Sequence, residues 1–405
     1  MSDPRADVVA RQYEKWTYPD PIEDLDEWVK DHWEFFDPSH AQRLIWPDRQ
    51  YRADLDILVA GCGTNQAATY AYMNRDARIT AVDISQSSLN HQQYLKDKHG
   101  LDNLELHRLP IEELPTLGRD FDYIVSTGVL HHMADPTVGI NTLAGLVRPD
   151  GVIGLMLYAK YGRTGVHVLQ SAFRDMGLVQ DEESVAVVRE ALRFIPKDHL
   201  VRGYLNISKD WRYDAGLVDT FLHGREETYT TDDCVDFVEG AGLVFADWLD
   251  KAPYYPHEIV AQSPKIMAIV RALPKRKVWS VMDRLRSANG IHMFFACKPE
   301  RPKSAYTIDF STQESLDYVP HTRLRCGLNG KSIFRPHWSF DLDETQLAFA
   351  RLVDGRRSIR EIAAEVRKSG VAPEGGTARV EKYARNLFDE LWRLDFYSMA
   401  IPPLR

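Results

Sequence analysis

Two glycines and an acid are the first residues here whose spacing could do chemistry. Gly61 and Gly63, with Cys62 between them, end the apolar run Ile57-Leu58-Val59-Ala60, and Asp83 ends a second run, Ile79-Thr80-Ala81-Val82. Glycines let the backbone come close to a ligand, and an acid about twenty residues further on can accept from both hydroxyls of a ribose. The pair points to a nucleotide-type ligand. A dinucleotide loop would carry a third glycine three positions after Gly63. This chain has Gln66 there, then Ala67 and Ala68, so a pyrophosphate is disfavoured. Further along, Thr127-Gly128-Val129 leads into His131 and His132, and Tyr13 and Tyr18 precede the first run. A histidine or tyrosine there could orient or deprotonate a nucleophile, although a buried structural role suits the same residues. Cys62 reads as a small side chain under the turn rather than a reactive thiol.

These residues need strands and helices to hold them. Hydrophobic patterning predicts strands near 55–60, 78–83, 103–107, 121–126 and 151–158, with helices near 65–74, 86–98 and 136–147. Alternation at these lengths predicts a parallel sheet with helices on both faces. Ser85-Gln86-Ser87-Ser88 supplies capping chemistry for the second helix. The next helix–strand pair comes only at Tyr229–Trp248, with Thr231 read as the helix start, and the closing strand falls at His292–Cys297. Residues 160–228 are therefore an insertion. Val166, Leu169, Phe173 and Met176 recur at helical spacing, as do Val185, Val188, Ala191, Leu192 and Ile195 up to Pro196. So small an excursion is expected to lack a core of its own. Dimerisation is its first expected role and a substrate cap the second. A further irregular and helical extension spans 251–290, where Lys275-Arg276-Lys277 reads as a solvated face. A new unit begins near Arg301 and ends in three helical stretches.

Taken together, the Gly61–Gly63 loop, Asp83, Phe121-Asp122-Tyr123-Ile124-Val125, Val129-Leu130-His131-His132 and the Val147-Arg148-Pro149-Asp150-Gly151 turn closely resemble class I S-adenosylmethionine-dependent methyltransferases. The resemblance runs from Tyr13 to Pro299. It implies a Rossmann-like α/β sheet of that class, S-adenosylmethionine as cofactor, S-adenosylhomocysteine as product, and no metal. By resemblance, Gly61, Cys62, Gly63 and Asn65 cradle the methionine part, Asp83 holds the ribose, and Ile84 packs on adenine. Ile111, Glu112 and Pro110 border the adenine, Pro110 standing where the family often has an acid. Thr127 and Gly128 lie beside the methyl group, and His132, Tyr13 and Tyr18 are the candidates at the acceptor. The family's enzymes for adenine or glutamine amides carry Asn/Asp-Pro-Pro-Tyr after the fourth strand; its absence here disfavours those substrates. The segment Tyr13–Pro21 is similar to one preceding the fold in some bacterial methyltransferases, where such helices cover the cofactor. The overall arrangement is similar to that of a mycobacterial class I methyltransferase acting on histone lysine. Leu352–Ala363 resembles small winged-helix, peptide-binding domains attached to peptide-modifying enzymes.

The expected organisation is a lid segment over 1–50, the methyltransferase domain over 51–159 and 229–300, the insertion over 160–228, and a winged-helix-like interaction domain over 301–405. The chain has 405 residues and a net charge of −9. That charge argues against direct DNA binding and is compatible with a basic peptide. Four scattered cysteines without a C-x-x-C make a disulfide or zinc framework improbable. No apolar run suits a membrane span and the first residues do not resemble a signal peptide, so a cytoplasmic protein is expected, with export by another route left open. The expected acceptor is a protein lysine amine, with a small molecule as alternative. A non-catalytic scaffold and a nicotinamide-linked oxidoreductase are more distant rivals.

Overall fold

The computed structural model describes residues 3–257 and 263–403. Seven strands form one sheet: β1 (Asp56–Ala60), β2 (Arg78–Asp83), β3 (Leu104–Arg108), β4 (Phe121–Thr127), β5 (Val147–Tyr158), β6 (Val244–Trp248) and β7 (Ile291–Cys297), in the order 3-2-1-4-5-7-6. The first five pair in parallel, and β7 runs antiparallel to β5. Central strands of such a sheet are buried on both faces, which is why residues 57–60 of β1 and 123–125 of β4 are continuous apolar runs rather than alternating. Strand order reverses between β1 and β4. The carboxyl ends of those strands open a crevice there, the usual ligand position in a doubly wound sheet.

Helices Gln66–Met73, Gln86–His99 and Pro136–Leu146 stand where the pattern sets them. Ser85 caps the second by accepting from Ser88 N at 3.1 Å. Helix Thr231–Gly240 is capped by Thr230 in a reciprocal box with Asp233, one residue before the expected start. Strand β5 begins at Val147 rather than 151, because Val147 bridges Phe121 before the register shifts.

The insertion departs most from expectation. Four helices, Thr164–Asp175, Glu182–Phe194, Val201–Ile207 and Asp214–Phe221, share one apolar core that includes Val166, Phe173, Val188, Val201, Leu217 and Phe221. The expectation that this segment lacks a core is wrong. Two of its helices are not visible in the pattern, and all four are needed to close a cluster. The segment leaves and returns at one point, where Ala159 bridges Tyr229 and Tyr229 N donates to Tyr158 O at 2.9 Å.

The chain divides into two compact units. One comprises 1–36, 53–245 and 283–300; the other comprises 37–52, 246–282 and 301–405. The division differs from the sequence-based boundaries in grouping 37–52 and 246–282 with the C-terminal residues. In the second unit, helices Glu344–Ala350, Ile359–Ser369 and Thr377–Arg393 follow a three-stranded antiparallel sheet over 327–341. Asp343 and Ser358 each open a helix with a capping box. Strand Tyr397–Ala400 pairs antiparallel with Val319–Thr322. Buried Asp395 accepts from Lys251 N and Ala252 N and pairs with Arg323 at 2.6 Å, tying three stretches of this unit together. Among the described residues, no helix is long and apolar enough to cross a membrane.

Candidate active site at the carboxyl end of the sheet

The ends of β1 and β2 are locked together, since Gly61 N and Cys62 N both donate to Val82 O, at 2.9 and 3.0 Å. Gly61 has φ +80°, and a Cβ on it would lie 2.3 Å from Val129 Cγ2. Gly63 has φ +53°, and its Cβ would meet Pro19 Cδ at 3.0 Å. Packing therefore excludes a side chain at Gly61 and leaves a tight fit at Gly63, and the positive φ disfavours one at both. Asp83 accepts from Gly63 N through Oδ2 and from Ser85 N through Oδ1, each at 2.9 Å. Burial pushes its pKa up, while these amides pull the other way. Each oxygen keeps a second lone pair for a further donor.

These residues face a cavity of about 1730 Å³. Gly61, Cys62, Gly63, Asn65, Asp83 and Ile84 line it, as do Ile111, Glu112, Thr127 and Gly128. His132, Tyr13 and Tyr18 also reach it. Pro110 is the exception. It is buried at the start of the 3-10 turn Ile111–Leu117, and its neighbours Leu109 and Ile111 form the wall instead. The N-terminal segment lies along the same cavity. Glu14 accepts from Gln86 N and Ser87 N, both at 3.0 Å, at the start of helix Gln86–His99, and Thr64 Oγ1 donates to Pro19 O at 2.9 Å.

A polar cluster that the sequence reading did not single out, centred on Asp219, also lines the cavity. Asp219, on helix Asp214–Phe221, is only 2% exposed yet lines the cavity. Tyr13 OH donates to its Oδ1 at 2.8 Å and Tyr158 OH to its Oδ2 at 3.1 Å. Its pKa is pushed up to about 7, first by burial, with Asp210 and Glu226 adding to the rise and the Tyr13 hydrogen bond and Arg163 opposing it. Arg163 is held bidentately by Glu226, at 3.1 and 2.8 Å, donates to Tyr204 OH at 3.0 Å and stacks 3.7 Å from the Tyr158 ring centroid. A sequence signal for Asp219 did exist: an acid inside the apolar turn Leu217-Val218-Asp219-Thr220-Phe221 demands a buried polar partner.

The histidines sit beside this cluster. His132 Nδ1 lies 2.9 Å from Arg225 O, which can only accept, so Nδ1 carries the proton and Nε2 the lone pair. Burial lowers the His132 pKa to about 4, and His131 and His223 fall well below the usual imidazole value for the same reason. His223 Nδ1 accepts from Arg225 N at 3.0 Å, which leaves Nε2–H directed at Tyr13 OH, 3.3 Å away. His132, Asp219 and His223 bring possible ligand atoms within 4.8 Å of one another. A metal would need lone pairs converging at about 2.0–2.1 Å. The His132 and His223 rings instead stack, with centroids 3.8 Å and planes 18° apart, so their in-plane lone pairs run side by side. Binding through His223 Nε2 would also require a proton on Nδ1, where the Arg225 N–H already points. This arrangement is a hydrogen-bonded cluster rather than a metal cradle.

The fold is the Rossmann-like one of class I methyltransferases, and the methyltransferase match within it supports S-adenosylmethionine as methyl donor. Residues 58–153 match the family described as a methyltransferase domain. The chain is 28% identical over 313 residues to an uncharacterised Synechococcus protein, covering 74% of this chain and 73% of that one. It resembles the structure of PKMT2 from Rickettsia typhi in complex with AdoHcy, with a TM-score of 0.64 at 14% identity, over 91% of this chain and 76% of that one. It is also 28% identical over 131 residues to a ubiquinone biosynthesis O-methyltransferase from Acinetobacter baylyi, covering 31% of this chain and 54% of the relative.

Proposed function

We propose that this protein methylates an amine, specifically a lysine side chain of a protein or peptide. The observation that carries this is the sign of the cavity. Ten acidic side chains line it against three basic ones, Arg5, Lys209 and Arg225. Arg5 and Arg225 are already paired with Glu113 and Asp7, at 2.6 and 2.8 Å. A low-dielectric cleft lined by one sign of charge concentrates ligands of the other sign. At about 1730 Å³ the cavity also exceeds the roughly 300–1,000 Å³ of ordinary small-ligand pockets, which leaves room for an acceptor beside the cofactor.

S-adenosylmethionine, when bound, supplies a methyl group already activated by a sulfonium charge. The protein's task is alignment and exclusion of water. In this proposal the Gly61–Gly63 loop and Asn65 hold the methionine end, near the N-terminus of helix Gln66–Met73, whose amides suit a carboxylate. Asp83 takes the ribose hydroxyls, Ile84 and Ile111 flank the adenine, and Glu112 accepts from its amino group. Thr127 and Gly128 border the methyl. His132 was the sequence-based candidate base, but a pKa of about 4 makes it a weak one at neutral pH. The C-terminal helices are proposed as a peptide-holding module.

The test is transfer of labelled methyl from S-adenosylmethionine into separated lysate proteins, peptides and metabolites. Label is expected in protein, recovered as methyl-lysine. Asp83→Ala is expected to weaken the cofactor by on the order of a hundredfold and abolish transfer. Label confined to metabolites would sink the lysine reading. It would favour instead a small-molecule acceptor, the alternative supported by the likeness to ubiquinone biosynthesis O-methyltransferases.

A further inference from the structure

An alkylammonium ion cannot accept a methyl group, because its nitrogen has no lone pair. A site for amine methylation therefore needs a place that binds the cation and a group that takes its proton. We propose that Asp219, framed by Tyr13 and Tyr158, is that place and that group. The inference rests on the amine reading above and names the residue within it. On docking, one N–H bond of the ammonium breaks, an O–H bond forms on an Asp219 oxygen, and the electron pair stays on nitrogen.

Five observations converge on Asp219. It is a buried carboxylate facing the cavity, and such a charge is costly without a partner. Among the described residues it makes hydrogen bonds to the two tyrosines and no ion pair. Arg163, the nearby cation, is already held on two edges by Glu226. Each tyrosine engages one oxygen once, so both oxygens keep a lone pair for an ammonium. The approach is also aromatic. Tyr18 and Tyr213 stack with centroids 6.4 Å apart, and both line the cavity with Tyr13 and Tyr158. Such faces attract a cation while tolerating its aliphatic stem.

The groups facing Asp219 come from every side: Tyr13 from helix Val8–Lys15, Tyr18 beyond it, His132 after β4, Tyr158 from β5, Arg163 ahead of helix Thr164–Asp175, Asp210 and Tyr213 from the turn before Asp219's own helix, and His223 and Glu226 after that helix. The imidazoles are neutral and weakly basic. Tyr13 and Tyr158 are positioning residues; Asp219 touches the substrate.

The test uses the full-length protein with S-adenosylhomocysteine and two hexapeptides, one with a single lysine and one with norleucine in its place. Calorimetry at pH 8 is expected to show the lysine peptide binding at least about tenfold more tightly. Asp219→Asn should erase that preference while changing the S-adenosylhomocysteine Kd less than about twofold. No preference in the unsubstituted protein overturns the amine reading itself. A preference that survives Asp219→Asn overturns the role of Asp219 and leaves that reading standing. If Asp219→Asn loses S-adenosylhomocysteine binding, Tyr13→Phe decides. The lysine preference grows as pH rises through about 7, the Asp219 value. Removing the Tyr13 hydrogen bond, which holds that value down, must move the midpoint up; an unmoved midpoint overturns the assignment.

Discussion

Asp219 is held in a state that costs stability, and the sign of that cost can be measured. An unfolded aspartate ionises near 3.9, whereas this one is pushed up to about 7. As pH rises through that window, the unfolded chain gives up its proton first, so stability is full below about pH 4 and falls towards pH 7. A shift of this size is worth on the order of 4 kcal/mol. Asp219→Asn removes the ionisation. It is expected to be more stable than the parent protein at pH 8, with the gap narrowing to about a third by pH 5 and closing below about pH 4, in urea unfolding followed by circular dichroism. An equal loss of stability at both pH values would contradict this. Residues that improve stability when replaced are commonly the ones kept for function.

At the scale of elements, the Arg163–Glu226 pair clasps the insertion to its point of departure. Both side chains are almost wholly buried. Removing one partner strands a charge, so Glu226→Ala should lower unfolding stability by about 3–5 kcal/mol, checked by urea titration. A cost below about 1 kcal/mol, typical of exposed pairs, would show the clasp to be superficial. The same contrast explains what was legible in the sequence. The sheet was, because β1, β2, β4 and β5 announce themselves by apolar runs and end in Gly61, Asp83 and Thr127. The cavity lining at Gly61, Gly63, Asp83 and Thr127 was for the same reason: these residues are adjacent in sequence to those runs. Of the proposed acceptor side, only Tyr13, Tyr18 and His132 were, and their meeting with Asp219 was not. Tyr13, Tyr158 and Asp219 lie far apart along the chain and meet only through tertiary packing, and helices Val201–Ile207 and Asp214–Phe221 are too short to show a periodic face. Gly61 and Gly63 do line the cavity, but part of the reason glycine stands there, the pressure of Val129 and Pro19, lies in contacts that no local pattern records.

At the scale of the whole molecule, the net charge of −9 and the acidic cavity act in the same direction. A basic protein substrate should be steered towards the site. The Debye length falls from about 10 Å at 0.1 M salt to about 3 Å at 1 M. The kcat/KM for such a substrate should therefore drop steeply with salt while kcat changes little, and a neutral acceptor should show no such slope. The N-terminal segment adds a consequence of a different kind. Glu14 seals the start of the helix that follows Asp83, and Pro19 lies against the glycine loop. In the proposed reading, the segment 13–21 forms one wall of the chamber that spent cofactor must leave. Freeing that wall, by Glu14→Ala, is expected to speed the exchange of spent cofactor more than it alters the methyl-transfer step.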